Sequence, residues 1–355
     1  MPLIVEGGRI PPRWALEANW CPAVSTNPRP TEHLNIALIN NMPDAALEDT
    51  ELQFFSLLND ASGDIPIYLQ LYSLTGIPRA GFGQRHLNSY YYNLDELWQN
   101  QFDGVIITGT EPRQPNLRDE PYWRVLTDVF DWAERNTAST VLSCLAAHAG
   151  VLHSDGINRY RLPDKQFGVF ESQKACSHTL MNRIPERILF PHSRWNEVQE
   201  KELASAGYVV LTKAADAGVD VFVKKKRESL FVHFQGHPEY GVHTLFKEYR
   251  RDVRRFLNLE RETYPSMPLG YFDASATRLL DAFQKSAMAD RRVEVMTFFP
   301  EQTIISGQSN GWHSTAACVY RNWLQYLLTS QARTSVFTTM TTPYSNSQGK
   351  RSAIG

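Results

Sequence analysis

Cysteine is scarce in this chain: four residues in 355, and no two of them close together. Cys21, Cys144, Cys176 and Cys318 form no C-x-x-C pair, which excludes a zinc ribbon and a thioredoxin-like redox motif. A charge excess is also missing. Lys and Arg number 36 against 38 Asp and Glu, a net charge of −2, so no global basic field points to a nucleic-acid partner. No apolar run approaches the roughly 18 residues that span a bilayer, so no membrane partner is expected. Met1 to Trp14 carries Arg and Pro where a secretory signal needs an apolar stretch, so the expected compartment is cytoplasmic. In that compartment disulfides are disfavoured, and the default for each Cys is a small buried hydrophobe. There is no P-loop, no G-x-G-x-x-G fingerprint, no metal cluster and no internal repeat, so neither a metal nor a bound cofactor is expected.

What the chain does contain is apolar residue in quantity, 42% against 21% charged, enough to build a sizeable core. Residues 1–33, rich in Pro and polar residues, read as a long arm over the surface. Short apolar runs then alternate with helical periods. Strands are expected at Leu34–Ile39, Ile65–Leu71, Gly104–Thr108 and Ser139–Ser143, with helices at Thr50–Leu58, Asn93–Gln101, Tyr122–Asn136 and Leu145–His153. This alternation predicts an α/β fold with a doubly wound, mostly parallel sheet, whose ligands bind at the carboxyl ends of the strands. Extended runs follow at Tyr208–Leu211, Val219–Val223 and Leu230–Phe234. Helices at Val242–Phe256, Ala274–Ala289 and Ala316–Leu328 form a C-terminal helical extension. Residues 34–330 read as one domain with an insertion-like segment at 272–309, and the Ser/Thr-rich stretch 331–355 reads as a disordered tail.

Cys144 stands out by position. It ends a buried strand and opens a run of small helical residues, Leu145-Ala146-Ala147-His148-Ala149-Gly150. A helix N-terminus favours a thiolate, and its free N–H groups can hold a developing oxyanion. A second signal is Gly236-His237-Pro238-Glu239-Tyr240, directly after a strand. Residues i and i+2 of an extended segment point to one side, so His237 and Glu239 can pair as an imidazole and its orienting carboxylate. The plainer reading is a turn histidine beside a proline. His148, one helical turn past Cys144, reads as a pocket wall rather than a base. His192-Ser193-Arg194 follows Phe190-Pro191, a loop signal, and is placed to line a substrate site. The Lys224–Arg227 turn and most of the Arg250–Arg255 helix face read as solvated, with one Arg of that face able to turn inward and grip a carboxylate.

Taken in order, these residues resemble the homoserine O-acyltransferases of methionine biosynthesis, of the homoserine trans-succinylase type. The match is carried by Asn41-Met42-Pro43 with Thr50–Phe54, by Phe102–Gly109, by Tyr122-Trp123, by Ser139 through Cys144 to Gly150, and by Pro191–Arg194. It continues through Gly236–Tyr240, Glu248–Asp252 and Asn322-Trp323-Leu324. The resemblance implies a class I glutamine-amidotransferase-like (flavodoxin-like) core. It implies a Cys144 nucleophile, a His237 base and its partner Glu239. It puts Lys165, Ser193 and Arg251 at homoserine-contacting positions. It also implies a homodimer and a ping-pong transfer from succinyl-CoA to L-homoserine through a Cys thioester, with acyl-CoA as cosubstrate.

Two departures leave alternatives open. The position linked to donor choice holds Arg113, which is neither the small residue of succinyl users nor the Glu of acetyl users. A cation there suits a succinyl carboxylate, whereas an Arg113 turned to solvent would carry no information on the donor. The residues after Cys144 are Leu145-Ala146 rather than an aromatic-Gly pair. Acetyl-CoA as donor, L-serine as acceptor, a glutamine amidotransferase-type hydrolase and a non-catalytic binding protein are the rival readings. The lack of Gly beside Cys144 counts against the hydrolase.

Overall fold

The computed structural model describes residues 3–5, 9–17, 32–305, 307 and 310–341. Its strands are β1 (Leu3–Val5), β2 (Leu34–Ile39), β3 (Ile67–Tyr72), β4 (Gly104–Ile107), β5 (Ser139–Ser143), β6 (Tyr160–Lys174), β7 (Arg187–Glu197), β8 (Val209–Val210), β9 (Thr212–Ala214), β10 (Gly218–Val219), β11 (Val221–Lys226) and β12 (Ser229–Phe234). The helices are α1 (Pro12–Glu17), α2 (Leu47–Ser62), α3 (Gly81–Tyr90), α4 (Leu94–Leu97), α5 (Trp123–Asn136), α6 (Leu145–Asp155), α7 (Glu200–Ser205), α8 (Thr244–Leu257), α9 (Ala274–Ala289), α10 (Glu301–Ile305) and α11 (His313–Thr341).

The main sheet runs β1-β3-β2-β4-β5-β12-β11-β8. Pairing is parallel from β1 to β12 and antiparallel at β11 and β8. The five central strands, numbered along the chain, stand in the order 2-1-3-4-5 of flavodoxin-like sheets. Both faces are covered, so the strands read as nearly continuous apolar runs. Alternation still sorts them. Leu34, Ile36 and Leu38 face α2 and α11, while Ala37 and Ile39 face the side of α5 and α6. On the first face Trp323 of α11 lies over Gly104, where any Cβ would come within 2.7 Å of the indole. Trp323 Nε1 also donates to Ser139 Oγ at 2.9 Å, and Asn322 Nδ2 donates to the Leu180 carbonyl at 2.9 Å. The Asn322-Trp323-Leu324 motif is thus a packing and capping device.

The N-terminal arm departs in part from its expected place. Leu3, Val5 and Trp14 are buried in the core, because β1 adds a parallel edge to β3. Cys21 and most of the arm lie outside the described residues. Helix α11 extends to Thr341, so the first part of the stretch expected to be disordered is helical, and residues 342–355 lie outside the described residues. The segment 272–309 supplies α9, whose Leu280 and Phe283 pack with Leu245, Phe246, Tyr249 and Phe256 of α8 in one cluster.

A second sheet, β10-β9-β6-β7, is antiparallel. It overturns the reading of Phe190-Pro191 as a loop, since both lie inside β7. β7 is the edge of that sheet, where a proline without an N–H is tolerated. In its register Phe167 opposes Ser193 and Gln166 opposes Arg194, which brings Lys165 beside Ser193.

Candidate active site

Cys144 forms the elbow between β5 and α6, with φ 51° and ψ −109°. A non-glycine residue there stores about 1–3 kcal/mol of strain, held by the surrounding packing. Three contacts hold it. Cys144 N donates to the Phe234 carbonyl at 2.8 Å, which ties the elbow to the end of β12. Gly150 lets α6 lie against β5, since a Cβ there would meet Leu142 at 2.5 Å. Gly109 lets the loop after β4 approach the first turn of α6, a Cβ falling 3.0 Å from Leu145 N. The elbow therefore forms without glycine beside the cysteine, and the missing glycines do not count against an acyl-transfer or hydrolase site. N–H groups of a first helical turn have no intrahelical acceptor, so Leu145 N can serve an oxyanion beside the sulfur.

His237 follows β12 and is buried with Glu239. Its Nδ1–H donates to Glu239 Oε1 at 2.8 Å, and Ser143 Oγ–H donates to the same oxygen at 3.1 Å. The charge of the neighbouring Cys144 also acts on the ring. The backbone N–H of His237 is held by the Pro191 carbonyl at 2.7 Å, and Tyr240 stacks on the ring at 4.1 Å. Burial alone would lower the basicity of this imidazole. The charges of Cys144 and Glu239, with the hydrogen bond to Glu239, outweigh it and raise the pKa well above the ordinary value. Cys144, His237 and Glu239 are thus assembled from two strand ends, those of β5 and β12.

Lys165, Ser193 and Arg251 come together with one another around a residue that the sequence reading gave no role. Glu248 Oε2 accepts from Ser193 Oγ at 2.5 Å and Lys165 Nζ at 3.2 Å, with Arg251 Nη2 at 3.7 Å. Its Oε1 accepts from Tyr240 at 2.7 Å. Burial works to raise this carboxyl's pKa, but Lys165, the Ser193 hydroxyl and Arg251 hold it below the usual range. Tyr240 therefore touches both sites, its ring on His237 and its hydroxyl on Glu248. The signal in the sequence was the i,i+3 pair Glu248–Arg251 on one face of α8.

The other candidates separate from the site. His148 Nε2 donates to Gln235 Oε1 at 2.9 Å, and burial pushes its pKa down to about 3, so it is a wall and not a base. Lys224 and Lys226 are paired with Asp155 and Glu134, each at 2.6 Å, rather than simply solvated. Arg113 is exposed, and only its backbone N–H is engaged, by Glu120 Oε1 at 2.5 Å. Among the described residues there is no group of three or more potential metal ligands, and no helix is long and apolar enough to cross a membrane.

Comparison with known proteins gives a family match over residues 21–334, to homoserine O-succinyltransferase. The homoserine O-succinyltransferase of Rhodopseudomonas palustris is 44% identical over 291 residues, covering 82% of this chain and 87% of that protein. Those of Bradyrhizobium japonicum and Methylorubrum extorquens are 42% and 40% identical, over 83% and 84% of this chain and 90% and 88% of theirs. Among solved structures, a glutamine amidotransferase from Methylobacillus flagellatus aligns over 83% of this chain and 95% of its own, at 13% identity and a TM-score of 0.46.

Proposed function

The chain belongs to the homoserine O-succinyltransferase family, and from that membership we propose how its residues divide the work of the reaction. It is an acyltransferase that moves the succinyl group of succinyl-CoA to the hydroxyl of L-homoserine, giving O-succinyl-L-homoserine and CoA, a step of methionine biosynthesis. The relatives above are all homoserine O-succinyltransferases, so the acetyl-CoA and L-serine readings drop out.

The observation that carries the mechanism is the buried His237 ring held between Cys144 and Glu239. The Cys144 thiolate attacks the thioester carbonyl of succinyl-CoA. The oxyanion forms beside Leu145 N–H, in the room that Gly109 leaves. The CoA sulfur departs and takes the proton of the His237 imidazolium. Exchange of one thioester for another is nearly balanced, so this step needs little driving force. Acylation then removes the negative charge of Cys144, the leading influence that raises the pKa of His237 against burial. Burial regains ground, and the ring becomes a neutral base when one is needed. It takes the hydroxyl proton of homoserine, the oxygen attacks the succinyl carbonyl, and Cys144 leaves as thiolate beside the re-formed imidazolium. General-base catalysis of this kind contributes about 10²- to 10⁴-fold. Glu239 fixes the tautomer that presents Nε2 to substrate.

Lys165, Ser193 and Arg251 are assigned to homoserine, with Glu248 among them. A zwitterionic amino acid offers one ammonium and one carboxylate. Glu248 suits the first, and Lys165 with Arg251 suits the second. The proposal also treats residues 34–330 as one acyltransferase domain acting in the cytoplasm as a homodimer. A monomer mass by light scattering would remove the last point.

Intact-protein mass spectrometry tests the core of the reading. Succinyl-CoA without acceptor should add one succinyl group, absent in Cys144→Ala and discharged by L-homoserine. An adduct that survives in Cys144→Ala, or ammonia released from glutamine at comparable rates, would overturn it.

A further inference from the structure

We propose that Arg159 receives the free carboxylate of the succinyl group and thereby sets the choice of acyl donor. The proposal rests on the acyl-transfer reading above. It starts from two guanidinium groups that feel the charge of Cys144, those of Arg194 and Arg159. Arg194 is buried, and each of its three nitrogens is engaged. Its Nε donates to His192 Nδ1 at 3.2 Å, its Nη1 to the Asn196 carbonyl at 2.8 Å, and its Nη2 to the Ala217 carbonyl at 2.5 Å. Arg159, in the link between α6 and β6, is half-buried and has its donors largely unspent. Its hydrogen bond is a long one, Nη2 to the Pro115 carbonyl at 3.4 Å, and among the described residues no carboxylate lies within ion-pair distance of it.

The surroundings of Arg159 are those of a prepared anion site. Cys144, His148, Tyr122 and Glu120 all interact with its charge, and its contact with the Pro115 carbonyl sets it against the loop that follows β4. Tyr122 Oη is buried without a hydrogen-bond partner. A second donor is thus available beside the guanidinium, in a place that water does not reach. Glu120 makes no hydrogen bond to either group: its Oε1 is spent on the N–H groups of Arg113 and Gln114, at 2.5 and 2.7 Å, and its Oε2 is buried without a partner. Those two bonds fix the loop whose Pro115 carbonyl meets Arg159, and they leave the Arg113 side chain exposed. Arg113, the residue to which sequence position pointed, therefore contributes its backbone, and the charge comes from Arg159.

The chemistry matches in sign. A succinyl group on Cys144 ends in a carboxylate three C–C bonds past the thioester carbonyl, about 4 Å at ordinary bond lengths. A guanidinium grips a carboxylate through two parallel N–H bonds, and an acetyl group offers it nothing. A half-buried cation without its anion then opposes the wrong donor, which is how a site rejects a substrate lacking a polar group.

The test compares donors within each variant. Wild type, Arg159→Met, Arg159→Lys and Arg113→Ala are assayed for kcat/KM with succinyl-CoA, butyryl-CoA and acetyl-CoA, L-homoserine being saturating. Arg159→Met should lower succinyl-CoA use by about 10- to 150-fold, the worth of a charged hydrogen bond, and change butyryl-CoA and acetyl-CoA use less than about threefold. Arg159→Lys should recover part of the preference, and Arg113→Ala should keep it. A purely structural role would lower all donors together, and that result, or a preference that follows Arg113 instead, overturns the proposal. Should Arg159→Met not fold, the comparison of Arg159→Lys with wild type decides in the same way. Failure of wild type to form a succinyl adduct would instead strike the acyl-transfer reading, and this proposal with it.

Discussion

His237 and His148 are buried to almost the same degree, 7% and 3% exposed, one in the triad pocket and one behind the nucleophile helix. Their basicities move in opposite directions. His148 meets the neutral amide of Gln235 and two nearby guanidinium groups, Arg194 and Arg159, and burial carries its pKa down to about 3. His237 meets Glu239 and Cys144, and their charges overcome the same burial. His192 and His233, also buried, follow His148 downward. Burial therefore does not make a base in this protein. The anions placed against one ring raise its basicity, and one of those anions is Cys144, the proposed nucleophile.

The comparison can be broken in several ways. The largest effect expected is for His237→Asn, which should cost about 10²- to 10⁴-fold in transfer to homoserine, while His148→Gln should stay within about tenfold of wild type. Steady-state assays with both variants check this, and a His148 variant as damaged as the His237 variant would erase the distinction. Glu239→Gln should come next, at about 10- to 100-fold, because one of the charges that raise the His237 pKa is removed. Its alkaline limb in kcat/KM for succinyl-CoA should move to lower pH, since the imidazolium is lost earlier.

Stability should separate the two rings as well. The unfolded chain protonates His148 below about 6.5, whereas the folded chain keeps it neutral down to about 3. Its contribution is present above 6.5 and is lost as pH falls through that window, with a slope approaching 1.4 kcal/mol per pH unit. For His237 the sign reverses: its contribution is complete below about 6.5 and fades as pH rises through the elevated folded pKa. Urea unfolding between pH 4 and 6.5 should therefore show a flatter pH dependence in His148→Gln than in wild type. Ser143→Ala should give the smallest effect. It removes one hydrogen bond to Glu239 Oε1, about 1 kcal/mol, and should cost no more than severalfold in rate.

The nucleophile half of the site was legible in the sequence because its signals are local. A β-branched run, a cysteine and a string of small residues describe strand, elbow and helix within twelve positions, and His237 with Glu239 is an i,i+2 pair. The acceptor half was less so. Lys165 came from the resemblance alone, since β6 carries charges, Pro163 and Gly168 along its length and shows no clean alternation, and Ser193 was first noticed through a loop signal that β7 overturns. Glu248 had no local signature of burial. Its neutralising partners lie 83 and 55 residues away, and only the antiparallel pairing of β6 with β7 brings them together. Arg159 escaped for the same reason. It follows a helix end as an ordinary surface arginine would, and its contact is with the Pro115 carbonyl of the loop that Glu120 clamps.

The central claim is that the charge on Cys144 holds His237 protonated and that acylation releases it. NMR titration of the His237 ring in wild type and in Cys144→Ala addresses it directly, the alanine standing for the uncharged acylated sulfur. The pKa of His237 should be well above 6.5 in wild type and should fall markedly in Cys144→Ala. The same pKa in both proteins would contradict the account.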